Sequence, residues 1–287
     1  MICLDKKILF AIVTYREKYW ESKSFLTLVQ SFKESGKELK ELNIIIFDNT
    51  DIKDWHLELS INHSNINLSY FSDSSNPGIS KAYNKINAFA LKNNFEWIVF
   101  LDQDTSLPIE AYSKYQNKIT NSQKSLVAVP IVYAGKKIIS PSRFFLHRSI
   151  LFKKVNANFL DFNNLRCINS GLIINTQFYD SIGGYNENLK LDFCDHDFIE
   201  KVKKKINLLE VLNIIFIQDF SSDNNTIEQS IFRYNIFLDD LNYYSLSRSK
   251  TALLFLIDIP HLIKLSYKYR SIKFFKIRFF KIRDEKF

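Results

Sequence analysis

Short, continuous runs of apolar residues, separated by stretches with helical periodicity, constrain the fold of this chain most. The first of these runs are ILFAIVT at 8–14, NIIIF at 43–47 and WIVFL at 97–101. Strands in which every residue is apolar are typical of a parallel sheet covered by helices on both faces. Helical patterns at about 22–35 and 76–94 lie between them. The sequence therefore predicts strand–helix alternation in an α/β fold.

The same reading extends to the rest of the chain. The other predicted strands are NLSYF at 67–71, LVAVP at 126–130, CINSGLIIN at 167–175 and NIIFIQDF at 213–220, and the other predicted helices lie near 108–120 and 195–205. Residues 143–167 fit either long loops or a β-rich excursion, and the pattern from about 227 onward is helical. We predict a mixed, mostly parallel sheet flanked by helices, of the Rossmann-like kind, followed by a C-terminal helical basic appendage.

Composition sets the limits of the fold and of the function. With 287 residues, 46% of them hydrophobic, the chain can bury the core of one large domain or of two fused lobes. No apolar stretch reaches the roughly 18 residues that a membrane-spanning helix requires, and the N-terminus lacks the cleavage site of a signal peptide. Cysteines 3, 167 and 194 form no C-x-x-C pair, so we expect free thiols in a reducing cytosol rather than zinc or a disulfide framework.

Positive charge is concentrated in the C-terminal tail. Residues 242–287 hold 11 Lys/Arg against 3 Asp/Glu, which accounts for the whole net charge of +8. Residues 261–287 mix these cations with aromatic side chains, and Ile272, Phe275 and Phe279 share a helical stripe with Ile282. The tail could attach to an anionic membrane, bind nucleic acid, or pack as an ordinary helix with a solvated face. We favour the membrane.

Two carboxylates, Asp102 and Asp104, directly follow the buried strand at 97–101. They could cap the following helix, pair with surface lysines, or bind a divalent cation that removes their mutual repulsion. Asp48 and Asn49 end the preceding buried strand, and the carboxyl ends of parallel strands line one crevice. The sequence contains neither a P-loop nor a G-x-G-x-x-G fingerprint. A bound nucleoside diphosphate would therefore depend on a metal ion to neutralise its phosphates.

Six segments, in this order, resemble those of bacterial family 2 glycosyltransferases with the GT-A fold. They are VTYREKYW at 13–20, FDNTD at 47–51, NPGISKAYN at 76–84, FLDQDTSLP at 100–108, INSGLIIN at 168–175 and GGYNENLKLDFCDHDF at 183–198. The chain is most similar to the rhamnosyltransferase-like subgroup of O-antigen and capsule biosynthesis. The resemblance covers about the first 240 residues and divides them into a nucleotide-sugar-binding half (1–130) and an acceptor-binding half of the same domain (131–240). The basic helical tail (241–287) lies outside the resemblance, and membrane association is one of its possible roles.

The resemblance also implies roles for individual residues in donor binding. Asp48 would accept the N3–H of uracil or thymine, and Asp104, with Asp102, would bind Mg²⁺ or Mn²⁺. The residues expected to line the nucleotide-sugar site are Thr14, Tyr15, Asp48, Asn49, Asn76, Gly78, Asn84 and Asp102. Considered without the family, Asp48 fits a turn or cap equally well, and 76–84 fits a capped helix.

On the acceptor side, the resemblance implies that Asp195 is the general base. A carboxylate placed there could deprotonate the acceptor hydroxyl, with Asp197 supporting acceptor binding, although Asp192, Asp195 and Asp197 also fit favourable charge at a helix N-terminus. The chain departs from the family pattern at Arg16 and Cys194, and at Gln218, where a metal-side histidine is common.

The leading hypothesis is therefore an inverting, metal-dependent glycosyltransferase. Its donor would be a dTDP- or UDP-sugar, with dTDP-rhamnose preferred and UDP-glucose or UDP-galactose as alternatives, and its acceptor a polyprenyl-diphosphate-linked saccharide. We expect a cytoplasmic protein bound peripherally to the inner face of the cytoplasmic membrane, with no nucleic-acid partner. Two other hypotheses are a sugar nucleotidyltransferase, which would want a glycine-rich loop after the first strand, and a non-catalytic membrane- or nucleic-acid-binding protein that acts through its tail.

Overall fold

A computed structural model describes residues 8–52, 65–121, 125–146, 148–156, 158–218 and 226–284. The strands are β1 (Ile8–Thr14), β2 (Asn43–Asp48), β3 (Asn67–Ser72), β4 (Trp97–Asp102), β5 (Thr105–Ser106), β6 (Val127–Ala134), β7 (Lys137–Ser140), β8 (Ser142–Phe145), β9 (Arg148–Leu151), β10 (Phe159–Asp161), β11 (Leu165–Arg166), β12 (Ile173–Asn175) and β13 (Leu208–Gln218). The helices are α1 (Lys23–Lys33), α2 (Ile79–Lys92), α3 (Ala111–Asn121), α4 (Thr176–Ser181), α5 (Cys194–Lys203), α6 (Ile227–Ser245), α7 (Lys250–Leu253), α8 (Ile259–Tyr269) and α9 (Lys273–Asp284), with a π-helical turn at Leu254–Asp258.

The main sheet is mixed, with the strand order β10-β13-β6-β12-β4-β1-β2-β3. Strands β3, β2, β1 and β4 are parallel neighbours, and antiparallel β12 joins them to the parallel pair β6 and β13. The buried runs predicted at 8–14, 43–47 and 97–101 are the central strands β1, β2 and β4. This arrangement confirms the predicted α/β class.

Two layers of apolar side chains cover the two faces of the sheet. Helices α2 and α5 pack on one face, where Tyr83, Phe100 and Phe198 are fully buried. Helices α1 and α3 pack on the other face around Phe10 and Phe32. Because both faces are covered, a strand such as β4 buries every residue up to the point at which it leaves the core.

The structure differs from the prediction at two strands. Strand β13 begins at Leu208 rather than 213. The acidic Glu210 can lie inside the strand because its buried carboxylate is 2.8 Å from the Lys118 ammonium. Within 167–175 only Ile173–Asn175 is strand. The preceding residues turn away from the ladder through Gly171, whose φ of +81° is in the left-handed region.

Residues 143–167 form the β-rich excursion rather than long loops. A small second sheet has the strand order β11-β8-β9, and β10 joins the edge of the main sheet beside β13. The small sheet lies within the predicted acceptor half, and its strand β11 is followed directly by the segment that carries Asn169.

The C-terminal helices are present as predicted, and they share the main core. Phe274 is fully buried, with its ring 5.6 Å from that of Tyr234, and the Arg278 guanidinium lies 2.7 Å from the buried carboxylate of Asp258. The predicted stripe residues Ile272 and Phe279 face outward. Among the described residues, no helix is both long and apolar enough to cross a membrane.

Candidate active site

Three parallel strands end side by side at the residues that the sequence singled out. Thr14 of β1 lies opposite Asp48 of β2, and Val13 lies opposite Asp102 of β4. Because the carboxyl ends of parallel strands meet at one edge of a sheet, the loops that follow them border a common cleft. The predicted donor-side residues Thr14, Asp48 and Asp102 are thus brought together by the register of the sheet.

Asp48 is held rigidly at the end of β2, with 1% of its surface exposed. Its Oδ1 accepts a hydrogen bond from the Thr50 backbone N–H at 2.9 Å, and its Oδ2 accepts one from the Tyr70 hydroxyl at 2.9 Å. Burial and the hydrogen bond to Asp48 raise the pKa of Tyr70, which keeps its proton on the phenol. Each carboxylate oxygen can accept more than one bond, so these contacts fix the orientation of Asp48 without exhausting it.

Unpartnered polar atoms surround this strand end. The backbone N–H of Asn49 donates to the carbonyl of Thr14 at 2.9 Å. Within the described residues, the Thr14 Oγ1 and the Asn49 Oδ1 are buried and have no hydrogen-bond partner. Buried polar atoms normally have a hydrogen-bond partner. Two such atoms without one, at the carboxyl end of a strand, indicate a site that a ligand completes.

An ion pair that the sequence did not predict joins the loops after β1 and β2. The Arg16 Nε lies 2.8 Å and its second nitrogen 3.0 Å from the two carboxylate oxygens of Asp51, and the Tyr15 hydroxyl donates to the same carboxylate at 3.3 Å. The hydrogen bond from Arg16 lowers the pKa of Asp51. The Tyr15 backbone N–H donates to the Gln103 side chain at 2.7 Å. Such an exposed pair adds little stability, and its effect is to fix the two loops relative to each other.

Asp102 and Asp104, the acidic pair, converge on one amide. The Gln218 Nε2 donates to the Asp102 Oδ2 at 3.2 Å and to the Asp104 Oδ1 at 3.3 Å. The Tyr83 hydroxyl also donates to Asp102, at 3.4 Å. Burial and then the charge of Asp104 raise the pKa of Asp102 to about 6, although the hydrogen bonds from Gln218 and Tyr83 oppose that rise.

This donor set fits a hard divalent cation. Both carboxylates reach a single point, and the buried Gln218 Oε1 has no hydrogen-bond partner among the described residues. Glu17, which the sequence analysis missed, has its pKa raised by burial and by the charge of Asp104. Even so, the described residues contain no group of three or more His, Cys, Asp or Glu side chains that could hold a metal alone. A cation here would share its coordination with water and substrate phosphates, as Mg²⁺ commonly does.

Asp195 lies in the first turn of α5, within electrostatic reach of Asp102. The Asn169 Nδ2 donates to the Asp195 Oδ1, and the Tyr185 hydroxyl donates in turn to the Asn169 Oδ1. Burial, and then the charge of Asp102, raise the pKa of Asp195 to about 7. The two acidic sites are thus close enough to interact electrostatically, and Asp195 is poised near neutral pH, where a general base works best.

The neighbours of Asp195 are engaged elsewhere. Asp192 forms a bidentate pair with Arg233, at 2.6 and 2.9 Å, and Asp197 lies 3.5 Å from Arg248. The His196 ring packs edge-on against Phe144, with 5.0 Å between ring centroids. Among the described residues, Asp195 is therefore the acid of this segment that lacks a cationic partner.

The segment 76–84 links the two halves of the domain. Gly78 has a φ of +93°, and a Cβ there would lie 2.4 Å from the Lys190 carbonyl oxygen, which also accepts a hydrogen bond from the Ile79 N–H. Asn76 likewise has a positive φ, of 47°, and precedes Pro77 at the start of this segment.

Asn84 makes four hydrogen bonds to the acceptor half. Its Oδ1 accepts from the Tyr179 hydroxyl and the Tyr185 N–H, and its Nδ2 donates to the Tyr185 carbonyl and to Glu187. These bonds use the full capacity of the amide, so Asn84 positions the 179–187 segment. Its predicted contact with the nucleotide stays a prediction.

Comparison with known proteins decides the family. The model of glycosyl transferase family 2 matches residues 10–183. The chain belongs to glycosyl transferase family 2. The matched region holds the ends of β1, β2 and β4 and the Asn169 segment, but it ends before Asp195. No curated protein matches the chain in sequence.

Solved structures share the fold of this family 2 chain at low sequence identity. S. aureus TarS 1-349 in complex with UDP aligns with a TM-score of 0.57 and 18% identity over 88% of this chain and 75% of its own. TarS 1-349 in complex with UDP-GlcNAc aligns with a TM-score of 0.54 and 16% identity, over 82% of this chain and 67% of its own. GalNAc-T7 with UDP, GalNAc and Mn²⁺ aligns with a TM-score of 0.54 and 13% identity, over 75% of this chain and 44% of its own. The chain thus spans less than half the length of GalNAc-T7, and likewise 46% of a longer TarS chain.

Proposed function

We propose that this chain transfers a sugar from a pyrimidine nucleoside diphosphate to an acceptor hydroxyl with inversion at the anomeric carbon. The observation that carries the proposal is the electrostatic coupling of two acidic sites: the acidic pair at the end of β4, and Asp195 at the start of α5. The charge of Asp102 raises the pKa of Asp195, which supports a short distance between them. Inversion needs this arrangement, because the base and the leaving group act on opposite sides of the sugar.

Donor binding would use the residues at the ends of β1 and β2. Asp48 would accept a hydrogen bond from the N3–H of uracil or thymine. The unpartnered Asn49 Oδ1 would accept a hydrogen bond from the nucleoside, and the Thr14 hydroxyl would donate or accept one. Related folds bound to UDP and UDP-GlcNAc support a uridine diphosphate sugar. The sequence resemblance favours dTDP-rhamnose. The two donors share the pyrimidine edge and the diphosphate, and differ in the sugar.

The acidic pair would hold Mg²⁺ or Mn²⁺. When bound, the cation would neutralise charge on the departing diphosphate. The GalNAc-T7 structure with UDP and Mn²⁺ supports this assignment for the fold. The residues of this chain contribute two carboxylates, and Gln218 and Tyr83 orient them.

Asp195 would act on the acceptor. Its carboxylate takes the proton of the acceptor hydroxyl as that oxygen bonds to the anomeric carbon, and the bond from that carbon to the diphosphate oxygen breaks. The nucleoside diphosphate leaves with the bonding electron pair. Asn169, held by Tyr185, keeps the base in one orientation, and a base so placed contributes a factor of about 10²–10⁴ in rate.

For the acceptor we propose a polyprenyl-diphosphate-linked saccharide of bacterial O-antigen or capsule synthesis, with the enzyme peripheral on the inner face of the cytoplasmic membrane. The outward-facing Ile272 and Phe279 of the basic tail support membrane contact. Removing residues 261–287 would be a poor test, because Phe274 of that segment is part of the core. Surface substitutions at Ile272 and Phe279 test the tail without opening the core.

A donor screen with a lipid-linked acceptor and Mg²⁺ or Mn²⁺, read by mass, tests the proposal. We expect acceptor mass to increase by one sugar, with release of a nucleoside diphosphate. Asp195→Asn should bind UDP or dTDP yet lose transfer, whereas Asp197→Asn should keep most of it. Release of pyrophosphate would instead indicate a nucleotidyltransferase. Absence of any nucleotide binding would favour the non-catalytic alternative.

A further inference from the structure

The small second sheet presents a face that the proposed chemistry does not use. Strands β8 and β9 are antiparallel, with Phe145 opposite Arg148 and Arg143 opposite Ile150. Directly opposed residues and residues two apart along a strand lie on the same face. These four side chains, the hairpin face, therefore project together, and all four are exposed, Phe145 to 61% and Ile150 to 52%.

The opposite face of the hairpin is fixed to the body of the protein. Ser142 is buried, and Phe144 contacts the His196 ring at 5.0 Å and the Arg166 guanidinium at 4.0 Å. Arg166 in turn forms an ion pair with Glu200 of α5. The hairpin is thus anchored on the helix that carries Asp195, and its free face points away from that helix.

Charge and apolar surface coincide around the hairpin face. Residues 142–156 contain four Lys/Arg and no Asp or Glu. None of these cations has an acidic partner in the described part of the chain, and Lys153 and Lys154 are exposed beside the face. Leu146, at the tip, is also 60% exposed. Large apolar side chains next to cations that lack acidic partners are typical of surfaces that enter an anionic lipid interface.

We propose that the hairpin face docks on an anionic membrane, with α5 and Asp195 on the side of the hairpin that faces away from the lipid. This inference rests on the proposed function, because a lipid-linked acceptor would lie in the membrane that the hairpin face binds. A second copy of the chain is a poorer occupant, because a two-fold contact would bring the same cations together. Nucleic acid is also a poorer occupant, because it has no apolar surface that would bury Leu146 and Ile150.

Vesicle flotation of the full chain tests the proposal. The vesicles are pure phosphatidylcholine, or phosphatidylcholine with about 30% phosphatidylglycerol, which supplies the anionic surface. Each Lys or Arg near such a surface strengthens binding roughly fivefold, so Arg143→Gln with Arg148→Gln should weaken binding to anionic vesicles by about 25-fold. Phe145→Ser with Ile150→Ser should weaken it by about tenfold or more, because that area no longer leaves water.

The matched control removes apolar surface elsewhere. Leu26 and Ile109 are 54% and 49% exposed, and they lie on or next to helices that cover the other face of the sheet. Leu26→Ser with Ile109→Ser should float like the unaltered chain. If both hairpin variants also float like the unaltered chain, or if the unaltered chain does not float, the proposal is wrong.

Two further readouts separate the alternatives. Sedimentation velocity shows whether the unaltered chain is a dimer. If it is, and if Phe145→Ser with Ile150→Ser converts the dimer to a monomer without changing flotation, the hairpin face serves self-association and the proposal is wrong. UDP binding by calorimetry should be the same in hairpin variants and the unaltered chain. If the unaltered chain binds neither UDP nor dTDP, the proposed function is contradicted, while flotation still tests the hairpin face independently.

Discussion

Replacing Asp195 by Asn should make the protein more stable while it abolishes transfer. Burial and the charge of Asp102 raise the pKa of Asp195 from its ordinary 3.8 to about 7. Each pKa unit corresponds to ~1.36 kcal/mol, so ionised Asp195 lowers the free energy of unfolding by at most about 4 kcal/mol. Its partial access to the cleft reduces this figure, and we expect a gain of about 1–3 kcal/mol for the Asn variant. The corresponding rise in Tm is roughly 2–5 °C.

The gain has a defined pH window. Because the folded-state pKa of Asp195 is raised, the folded chain binds this proton more tightly than the unfolded chain. The destabilisation is absent below about pH 4, where both states are protonated, grows as pH rises between 3.8 and about 7, and is complete above 7. The stabilisation by Asp195→Asn should therefore be full at pH 8 and should vanish near pH 4.

Thermal unfolding of the metal-free protein at several pH values measures this effect. Asn can still accept the hydrogen bond from the Asn169 Nδ2 through its own Oδ1, so the substitution removes charge with little change in contacts. Asp197→Asn is the control: it removes an acid that has Arg248 at 3.5 Å, and it should give no gain. An Asp195→Asn variant that is less stable at pH 8, or whose gain does not depend on pH, would refute the reasoning.

Three other perturbations test the site. Because only ionised Asp195 can accept a proton, kcat/KM should fall about tenfold per pH unit below about 7; a flat profile from pH 5 to 8 would remove Asp195 as the base. Gly78→Ala should lower the free energy of unfolding by about 1–3 kcal/mol, because φ is +93° and the Cβ would lie 2.4 Å from the Lys190 carbonyl oxygen, and Gly36→Ala, at φ +72° in open space, should cost less in the same urea titration. Gln218→Glu replaces the shared donor of the acidic pair by a third carboxylate, so the metal-free Tm should fall and Mn²⁺ should raise it by more than in the unaltered chain; equal Mn²⁺ shifts would contradict this.

The sequence predicts the sheet and the positions of its acidic residues for one physical reason. A strand buried on both faces is a continuous apolar run, and a parallel sheet aligns the ends of such runs. The end of the run at 97–101 therefore determines where Asp102 lies relative to Asp48 without any knowledge of side-chain contacts.

The partners of those acidic residues could not be predicted in the same way. Gln218 reaches the acidic pair from more than 100 residues away, and Tyr83 reaches it from the middle of a helix. Asn169 was visible only as part of the motif INSG, with nothing to link it to Asp195. Local periodicity determines which face a residue occupies, but side-chain pairing depends on how distant elements pack.

The coupling between Asp102 and Asp195 indicates how metal binding changes the protonation of the base. Asp102 raises the pKa of Asp195 only while its own charge is not compensated. Once a divalent cation occupies the acidic pair, the negative charge of Asp102 is offset, and the pKa of Asp195 should fall from about 7 towards a more acidic value. The pH at which kcat/KM is half-maximal should then be lower at a saturating metal concentration than at a metal concentration far below saturation. Coincident midpoints in the two profiles would mean that the two acidic sites do not communicate.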